Sequence, residues 1–165
     1  MIISCDTSSA ICSVALTHAG SILDKRDDVG GQIHIEKLSP FLNDMLTKVS
    51  GHAYTIDALA VAIGPGSFNG LRIGLATMKA LAVARAWPLI PIPTTDAMAF
   101  GLPDSVTGIC RAVIYSHRDF VHYADYVLDQ SHDISTPEFF YSSWDNLFDE
   151  KIDHYFGNPD RGFNN

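Results

Sequence analysis

Three strand patterns follow one another at the start of the chain before any helix pattern occurs. Short apolar or alternating runs predict strands at residues 2–5, 12–17 and 21–29, with turn residues such as Gly20 between them. The third run is the most polar, which is typical of a strand near a sheet edge. A meander of three strands excludes the ordinary doubly wound folds, because those begin with a strand, a helix and a second strand.

Helix and strand patterns alternate after this meander. The first helix is predicted to begin at about His34 or at Ser39 and to reach Val49. In the second case Pro40 would occupy the first helical position, with Ser39 as the cap. The apolar residues of this segment share one helical face. They are Leu38, Leu42, Met45, Leu46 and Val49.

Two continuous apolar runs, at residues 59–63 and 89–92, predict buried parallel strands. A helix is predicted between them at residues 71–86, and Thr94 or Thr95 is predicted to cap a short third helix. The complete order is β-β-β-α-β-α-β-α. This order matches the ribonuclease-H-like lobe of the actin-type ATPases, so the predicted fold class is α/β.

The character of the sequence changes towards its carboxyl end. Two strands are predicted at residues 109–115 and 120–128, whereas residues 131–165 are rich in aromatic and acidic residues and show no clear period. We therefore expect residues 1–102 to form the actin-type lobe and residues 103–165 to form a short, incomplete second lobe.

A glycine-rich segment at residues 64–74, which reads GPGSFNGLRIG, joins the first buried strand of the alternating part to its helix. A loop in this position can direct backbone N–H groups at an anion. It is not a P-loop, since no Gly-Lys-Ser/Thr follows, and it is not the dinucleotide fingerprint, whose third glycine would fall on Asn69. On the residues alone, a phosphate-binding loop and a tight turn from strand to helix both stay open.

The same segment resembles the signature of the bacterial TsaB family, which carries GPGSFTGLRIG and differs only in having Thr at the position of Asn69. Together with three shorter matches in family order, it covers residues 1 to about 100. The shorter matches are Asp6-Thr7-Ser8, then Cys12-Ser13-Val14-Ala15-Leu16, then His34, Glu36, Leu38 and Pro40 at alternate positions.

This resemblance implies a part in the synthesis of threonylcarbamoyladenosine in tRNA. The resemblance implies a non-catalytic subunit that pairs with a catalytic TsaD protein and acts with an ATPase called TsaE. It also implies that the subunit contacts tRNA only as part of that complex. The resemblance also implies a homodimer when the partner is absent. It implies no cofactor of the chain's own, with ATP or ADP and a divalent metal at the partner complex. The implied nucleotide or phosphate contacts are Asp6, Thr7, Ser8, Gly64, Gly66 and Ser67.

No complete catalytic constellation accompanies the loop. Asp6 stands where actin-type ATPases place a carboxylate near metal and phosphates, yet Asp also caps turns readily, and phosphoryl transfer needs metal ligands and a base besides. The sequence contains no H-E-x-x-H, H-x-x-x-H or G-x-S-x-G pattern, and His34 is expected to cap its helix or face solvent. We therefore predict no catalytic and no metal-ligating residue. The alternative functions are an active ATPase or phosphotransferase, and the metallopeptidase of older family labels.

The helix after the loop is apolar on two sides, which predicts that both sides are buried. Leu71, Leu75 and Met78 point one way at 100° per residue. The opposite side carries small residues that permit close approach of a second helix, from the same chain or from a partner. The family resemblance favours a partner. The predicted interface is Ile73, Thr77, Ala80 and Ala84.

Charge and cysteine content limit the remaining functions. Eleven basic against nineteen acidic residues give 11 − 19 = −8. An anionic surface repels phosphate backbones, so we expect no tight binding of nucleic acid by the chain alone. Three cysteines without a C-x-x-C pair fit a reducing compartment, and the sequence shows neither a signal peptide nor a membrane span. The expected location is the cytoplasm.

Overall fold

The computed structural model describes residues 1–30, 33–50, 55–129, 137–148 and 151–158. The chain packs as two compact units, Met1–Ile92 and Pro93–Asn165. The first unit is built from β1 (Ile2–Asp6), β2 (Ile11–His18), β3 (Ser21–Val29), α1 (Ile33–Ser50), β4 (Ala58–Gly64), α2 (Phe68–Arg85) and β5 (Leu89–Pro93). The second is built from α3 (Thr94–Phe100), β6 (Gly108–His117), β7 (Phe120–Leu128), β8 (Phe139–Ser143), a 3-10 turn (Trp144–Asn146) and β9 (His154–Asn158).

The first sheet has the strand order β3-β2-β1-β4-β5. Strand β1 runs antiparallel to β2 and parallel to β4, and β3 lies at the edge as its polar sequence predicts. The three-stranded meander and the parallel β4 are as the sequence predicts, whereas β5, predicted as a buried strand, lies at the other edge with Ile90 and Pro91 exposed. The α/β fold of an actin-type ATPase lobe is therefore confirmed.

Helices α1 and α2 pack on one face of this sheet. The predicted apolar face of α1 is buried at Leu38, Leu42, Met45 and Val49, and Leu46 is partly buried against the same core. Strands β1, β2 and β4 contribute aliphatic side chains from alternate positions, as expected for one covered face. The fully buried ones include Ile3, Val14, Leu59 and Val61.

The helix boundaries follow the sequence predictions in part. Helix α1 begins at Ile33, which confirms the predicted start at about His34, and it contains Pro40 in its interior, so the alternative start at Ser39 is wrong. Helix α2 begins at Phe68, three residues before the predicted start, because Ser67 caps it with its side chain. Neither Thr94 nor Thr95 is a cap: both are buried helical residues, and Pro93 occupies the cap position.

The second sheet has the order β8-β7-β6-β9. Strand β7 runs antiparallel to both β6 and β8, and β6 runs parallel to β9. The two predicted strands at residues 109–115 and 120–128 are confirmed as β6 and β7. Strands β8 and β9 lie in the stretch where the sequence shows no clear period, part of which falls outside the described residues.

Both faces of the second sheet carry small cores. On one face Ala99 of α3 packs with Ala112, Ala124 and Tyr126. On the other, Leu147 packs with Val113 and Val121, and Arg111 lies beneath it. Helix α3 packs on β6 and β7 in this unit, whereas the sequence-based division after residue 102, which stays a prediction, places it with the first lobe. No helix among the described residues is long and apolar enough to cross a membrane.

Candidate functional site

The turn after β1 and the loop after β4 lie against each other. Strands β1 and β4 are parallel neighbours, so their carboxyl ends meet at one edge of the sheet. The N–H of Ser67 donates to the carbonyl of Ser8 over 2.7 Å, and the hydroxyl of Thr7 donates to the carbonyl of Gly70 over 2.8 Å. The residues that the sequence analysis proposes as phosphate contacts are thus brought together by the fold.

The glycines of the signature face this turn at four-residue spacing. A Cβ atom on Gly66 would lie 2.4 Å from the carbonyl oxygen of Ser8, and one on Gly70 would lie 2.0 Å from that of Thr7. A Cβ atom on Gly74 would lie 2.2 Å from the hydroxyl oxygen of Thr7. Real Cβ atoms do not approach oxygen so closely. The glycines therefore let the backbone of α2 rest directly on the turn, which explains why the motif extends well into the helix.

The loop itself is short and follows a path that favours glycine. Gly64 has a φ of +107° and Gly66 a φ of +155°, and a side chain at Gly64 would also meet Leu71 at 3.1 Å. The bond between Gly64 and Pro65 is cis. Only residues 65–67 form the loop, since β4 ends at Gly64 and α2 begins at Phe68.

Two N–H groups of the signature segment that a phosphate site would use are already bonded. The Ser67 N–H is held by Ser8, and the Gly70 N–H donates to the Ser67 hydroxyl over 3.3 Å. Phe68 and Asn69, at the first positions of α2, are exposed, and the Arg72 guanidinium lies 5.2 Å above the Phe68 ring. The N–H groups of Ser67 and Gly70 thus donate within the protein.

Asp6 caps the turn. Its Oδ1 accepts from the Ser8 N–H at 2.8 Å, which is the local role that Asp commonly takes in a turn. Thr7 beside it is 1% exposed and Ser8 6%. Among the described residues, no group of three His, Cys, Asp or Glu side chains is placed to hold a metal ion. The Asp6 carboxylate and these two amides thus have partners within the protein, and the phosphate contacts that the family resemblance implies stay a prediction.

His34 also belongs to this site, although the sequence analysis expects it to cap a helix or face solvent. That expectation is wrong: the side chain is 7% exposed, and its Nε2 lies 2.9 Å from the carbonyl oxygen of Ser9. The ring also approaches Gly70, where a Cβ atom would lie 3.3 Å from Cδ2. The starts of α1 and α2 are thereby packed against the same turn. The alternating family motif that begins at His34 was the available signal.

Helix α2 has one buried side and one exposed side. Its buried residues are Gly70, Gly74, Met78 and Ala82, with Leu71 and Leu75 partly buried beside them. Of the predicted interface, Ile73 and Thr77 are partly buried and Ile73 packs on the core. Ala80 and Ala84 are exposed. We call Ala76, Ala80, Val83 and Ala84 the outer face of α2; Val83 is 84% exposed.

The three cysteines are buried thiols. Cys5, Cys12 and Cys110 are free, and burial raises the pKa of each, that of Cys5 to about 12. A thiol with a raised pKa is a poor nucleophile and metal ligand. These side chains therefore act as small core residues.

Comparison with known proteins places this geometry in context. The model of the family described as TsaD, tRNA N6-adenosine threonylcarbamoyltransferase, matches residues 28–126, more than half of the 165-residue chain. The chain is 32% identical over 132 residues to the tRNA threonylcarbamoyladenosine biosynthesis protein TsaB of Escherichia coli (strain K12), covering 79% of the chain and 56% of that protein.

Two further relatives give the same picture. The TsaB protein of Haemophilus influenzae is 35% identical over 94 residues, which is 57% of this chain and 39% of that protein. The solved structure of YeaZ from Pseudomonas aeruginosa superposes with a TM-score of 0.77 at 26% identity, covering 94% of this chain and 74% of that one. The matched part of the chain thus spans 56% of the TsaB protein of Escherichia coli and 39% of that of Haemophilus influenzae.

Proposed function

The chain belongs to the family of the TsaD model, where its likeness is to TsaB (YeaZ) proteins, and on that premise we propose that it supports threonylcarbamoyladenosine synthesis in tRNA without catalysing a step. In this proposal it pairs with a TsaD-like catalytic subunit and works with a TsaE-like ATPase. ATP or ADP and a divalent metal ion belong to the partner complex. The cytoplasm is the compartment in which such a complex would meet tRNA.

The observation that carries the proposal is the way the signature loop is used. The N–H groups of Ser67 and Gly70 bond within the protein, and Gly66 and Gly70 contact the turn at distances that leave no room for a Cβ atom. Phosphoryl transfer needs a phosphate site, metal ligands and a base held in one place. The described residues offer Asp6 alone, and its carboxylate caps a turn. Such a site stabilises the fold and has no evident chemistry.

The outer face of α2 is the surface proposed for the catalytic partner. It is an exposed row of small apolar residues, flanked by Ile73 and Thr77. Small side chains permit a second helix to approach closely. The net charge of −8 supports a route to tRNA through the partner, because this chain offers few cations to the phosphate backbone.

Co-purification with a TsaD-like protein from the same organism tests the proposal. Ala80→Glu places a carboxylate in the centre of the outer face, and burying it unpaired should weaken the complex by about a hundredfold or more. The matched control is Ala97→Glu, the same change at an exposed position of α3. It should bind like the wild type.

Three results would count against the proposal. Absence of any complex with the wild-type chain removes the proposed partner. A folded Ala80→Glu variant with wild-type affinity shows that α2 is not the interface. An Ala80→Glu variant that unfolds shows that the outer face is needed within the chain itself. Circular dichroism of each variant separates the last two results.

A further inference from the structure

Helix α2 carries the opposite charge to the chain as a whole. Its sequence, FNGLRIGLATMKALAVAR, contains the cations Arg72, Lys79 and Arg85 and no acidic residue. The whole chain has 11 basic against 19 acidic residues. All three cations of α2 are exposed. The helix that bears the proposed partner surface is therefore a basic strip on an acidic protein.

The cations of α2 also differ from those of its neighbour α1 in their partners. Lys37 and Lys48 of α1 each form an ion pair with an aspartate of β3. Over the ranges that the structure describes, no ion pair involves Arg72 or Lys79. Arg72 instead lies over the Phe68 ring, a contact that leaves its N–H groups for another acceptor. These two cations are thus available to a carboxylate from outside the chain.

Arg72 and Lys79 lie on the same side of α2 as its outer face. Residues seven apart are separated by two turns, so the two cations stand about 10 Å apart along the axis and point in nearly the same direction. Ala76 and Val83 follow them on the same line, each four residues further along. A helix that packs on this line therefore meets small apolar side chains with a cation at each end of a two-turn segment.

We propose that the helix which packs on α2 carries two carboxylates about two turns apart, and that their pairing with Arg72 and Lys79 selects the partner. This inference rests on the proposed function, because it specifies the chemistry of the helix that the TsaD-like subunit would present. Complementary charges at an interface speed association and exclude wrong partners more than they add affinity. The apolar row supplies the buried contact, and the two cations decide which helix fits it and in which register.

The charges of α2 favour an acidic helix over two other occupants. A second copy that opposed its own α2 would bring cation against cation, which costs free energy. A nucleic acid is held through many cations to its phosphates, whereas α2 supplies three on a chain with a net charge of −8. The apolar side chains of Ala76, Ala80 and Val83 also offer no hydrogen bond to a phosphate or a base. An acidic helix matches both the charges and the apolar row.

Neutralising the two cations tests the pairing. Arg72→Gln with Lys79→Gln should raise the Kd for the TsaD-like subunit about tenfold at low salt, because two exposed ion pairs are lost. The difference should shrink as salt is added, since salt screens exposed charges. The matched control is Ala97→Glu with Ser105→Glu, which lowers the net charge by the same amount at two exposed positions of the second unit. The control should bind like the wild type.

A carbodiimide cross-link identifies the group that faces the helix. This reagent joins an amine to a carboxylate that touches it, with loss of water. Mass spectrometry of the treated complex should show an amide between Lys79 and an Asp or Glu on a helix of the TsaD-like subunit. Lys79→Arg keeps the charge but removes the reactive amine. It should bind like the wild type and lack this cross-link.

The outcomes separate this inference from the proposed function. If the wild-type chain forms no complex, both fail. If the complex forms but the glutamine double variant binds as tightly as its control, the proposed function stands and the charge pairing is overturned. A cross-link from Lys79 to a second copy would assign the surface to self-association. Binding of tRNA that the isolated wild type shows and the double variant loses would assign it to nucleic acid. Either result would overturn the inference.

Discussion

Strands β3-β2-β1-β4 of the first unit and β8-β7-β6-β9 of the second follow the same order and the same directions, yet the two units are filled differently. The first is filled with aliphatic side chains under two long helices. The second buries small residues with Tyr126 on one sheet face, and Leu147 with the buried Arg111 on the other. One strand order thus tolerates two kinds of interior.

The difference extends to how each sheet holds its neighbours. In the first unit the backbone of α2 lies directly on the turn after β1, with glycines at the contact. In the second unit Arg111 bonds Asp125 through two nitrogens, at 2.6 and 2.7 Å, and also bonds the carbonyl of Leu147. The glycine-rich signature and the polar network around Arg111 therefore play comparable structural parts. Each can be disrupted separately, and tryptophans at Trp87 and Trp144 report on the two units.

The largest effect is expected from Gly70→Ala in the first unit. Its Cβ atom would lie 2.0 Å from the Thr7 carbonyl oxygen, and neither backbone can yield easily. We expect a loss of about 3 kcal/mol in the free energy of unfolding, measured with urea. The control is Gly101→Ala, where the nearest atom would be 3.4 Å away and the backbone is helical. Equal midpoints for the two variants would contradict the packing role of the signature.

A smaller loss, confined to the second unit, is expected from Arg111→Met. The change removes the partner of Asp125 and a donor to Leu147, but Asp125 is 32% exposed and water can replace part of the interaction. We expect a cost of about 2 kcal/mol, below the range for a fully buried pair. The unfolding midpoint measured by Trp144 fluorescence should move to a lower urea concentration, while the midpoint measured by Trp87 fluorescence should not change. A shift in both would mean that the units do not unfold separately.

The smallest effect concerns pH and again only the second unit. Burial, and to a lesser extent His117, lowers the pKa of His122 below its ordinary value of 6.5. The unfolded chain therefore takes up the proton first as the pH falls, so this contribution to stability is complete above about 6.5 and declines below it. His122→Phe keeps an aromatic ring beside Tyr141. It should reduce the loss of stability at low pH that Trp144 fluorescence measures during unfolding in urea. An unchanged pH profile would contradict this.

The same contrast explains what the sequence could predict. Strands β1 and β2 and the apolar face of α1 follow hydrophobic periods because one sheet face is covered by long helices, and β4 is marked by a continuous apolar run. Strands β8 and β9 are five residues each, and their aromatic residues occupy both faces, so no period marks them. Strand β9 also pairs with β6, more than forty residues earlier, which local patterns cannot reveal.

Prediction of the candidate site was partial for a similar reason. The meeting of Asp6-Thr7-Ser8 with the loop follows from placing β1 beside β4, which the fold class already implies. The contacts of Gly70 and Gly74 with Thr7 depend on distances of a few ångströms between segments far apart in sequence. The burial of His34 depends on where α1 begins, and the sequence left two starting points open.

The central claim is that this chain supports the modification without catalysing it, and Asp6→Asn tests it most directly. The amide keeps the oxygen that accepts from the Ser8 N–H but removes the charge that a metal ion or a phosphoryl transfer would require. Threonylcarbamoyladenosine formed in tRNA should be measured with TsaD-like and TsaE-like partners and with wild-type chain, variant chain or no chain. We expect the variant to match the wild type, and both to exceed the reaction without chain. A loss of about a hundredfold in a folded variant, the scale of a catalytic group, would contradict the account.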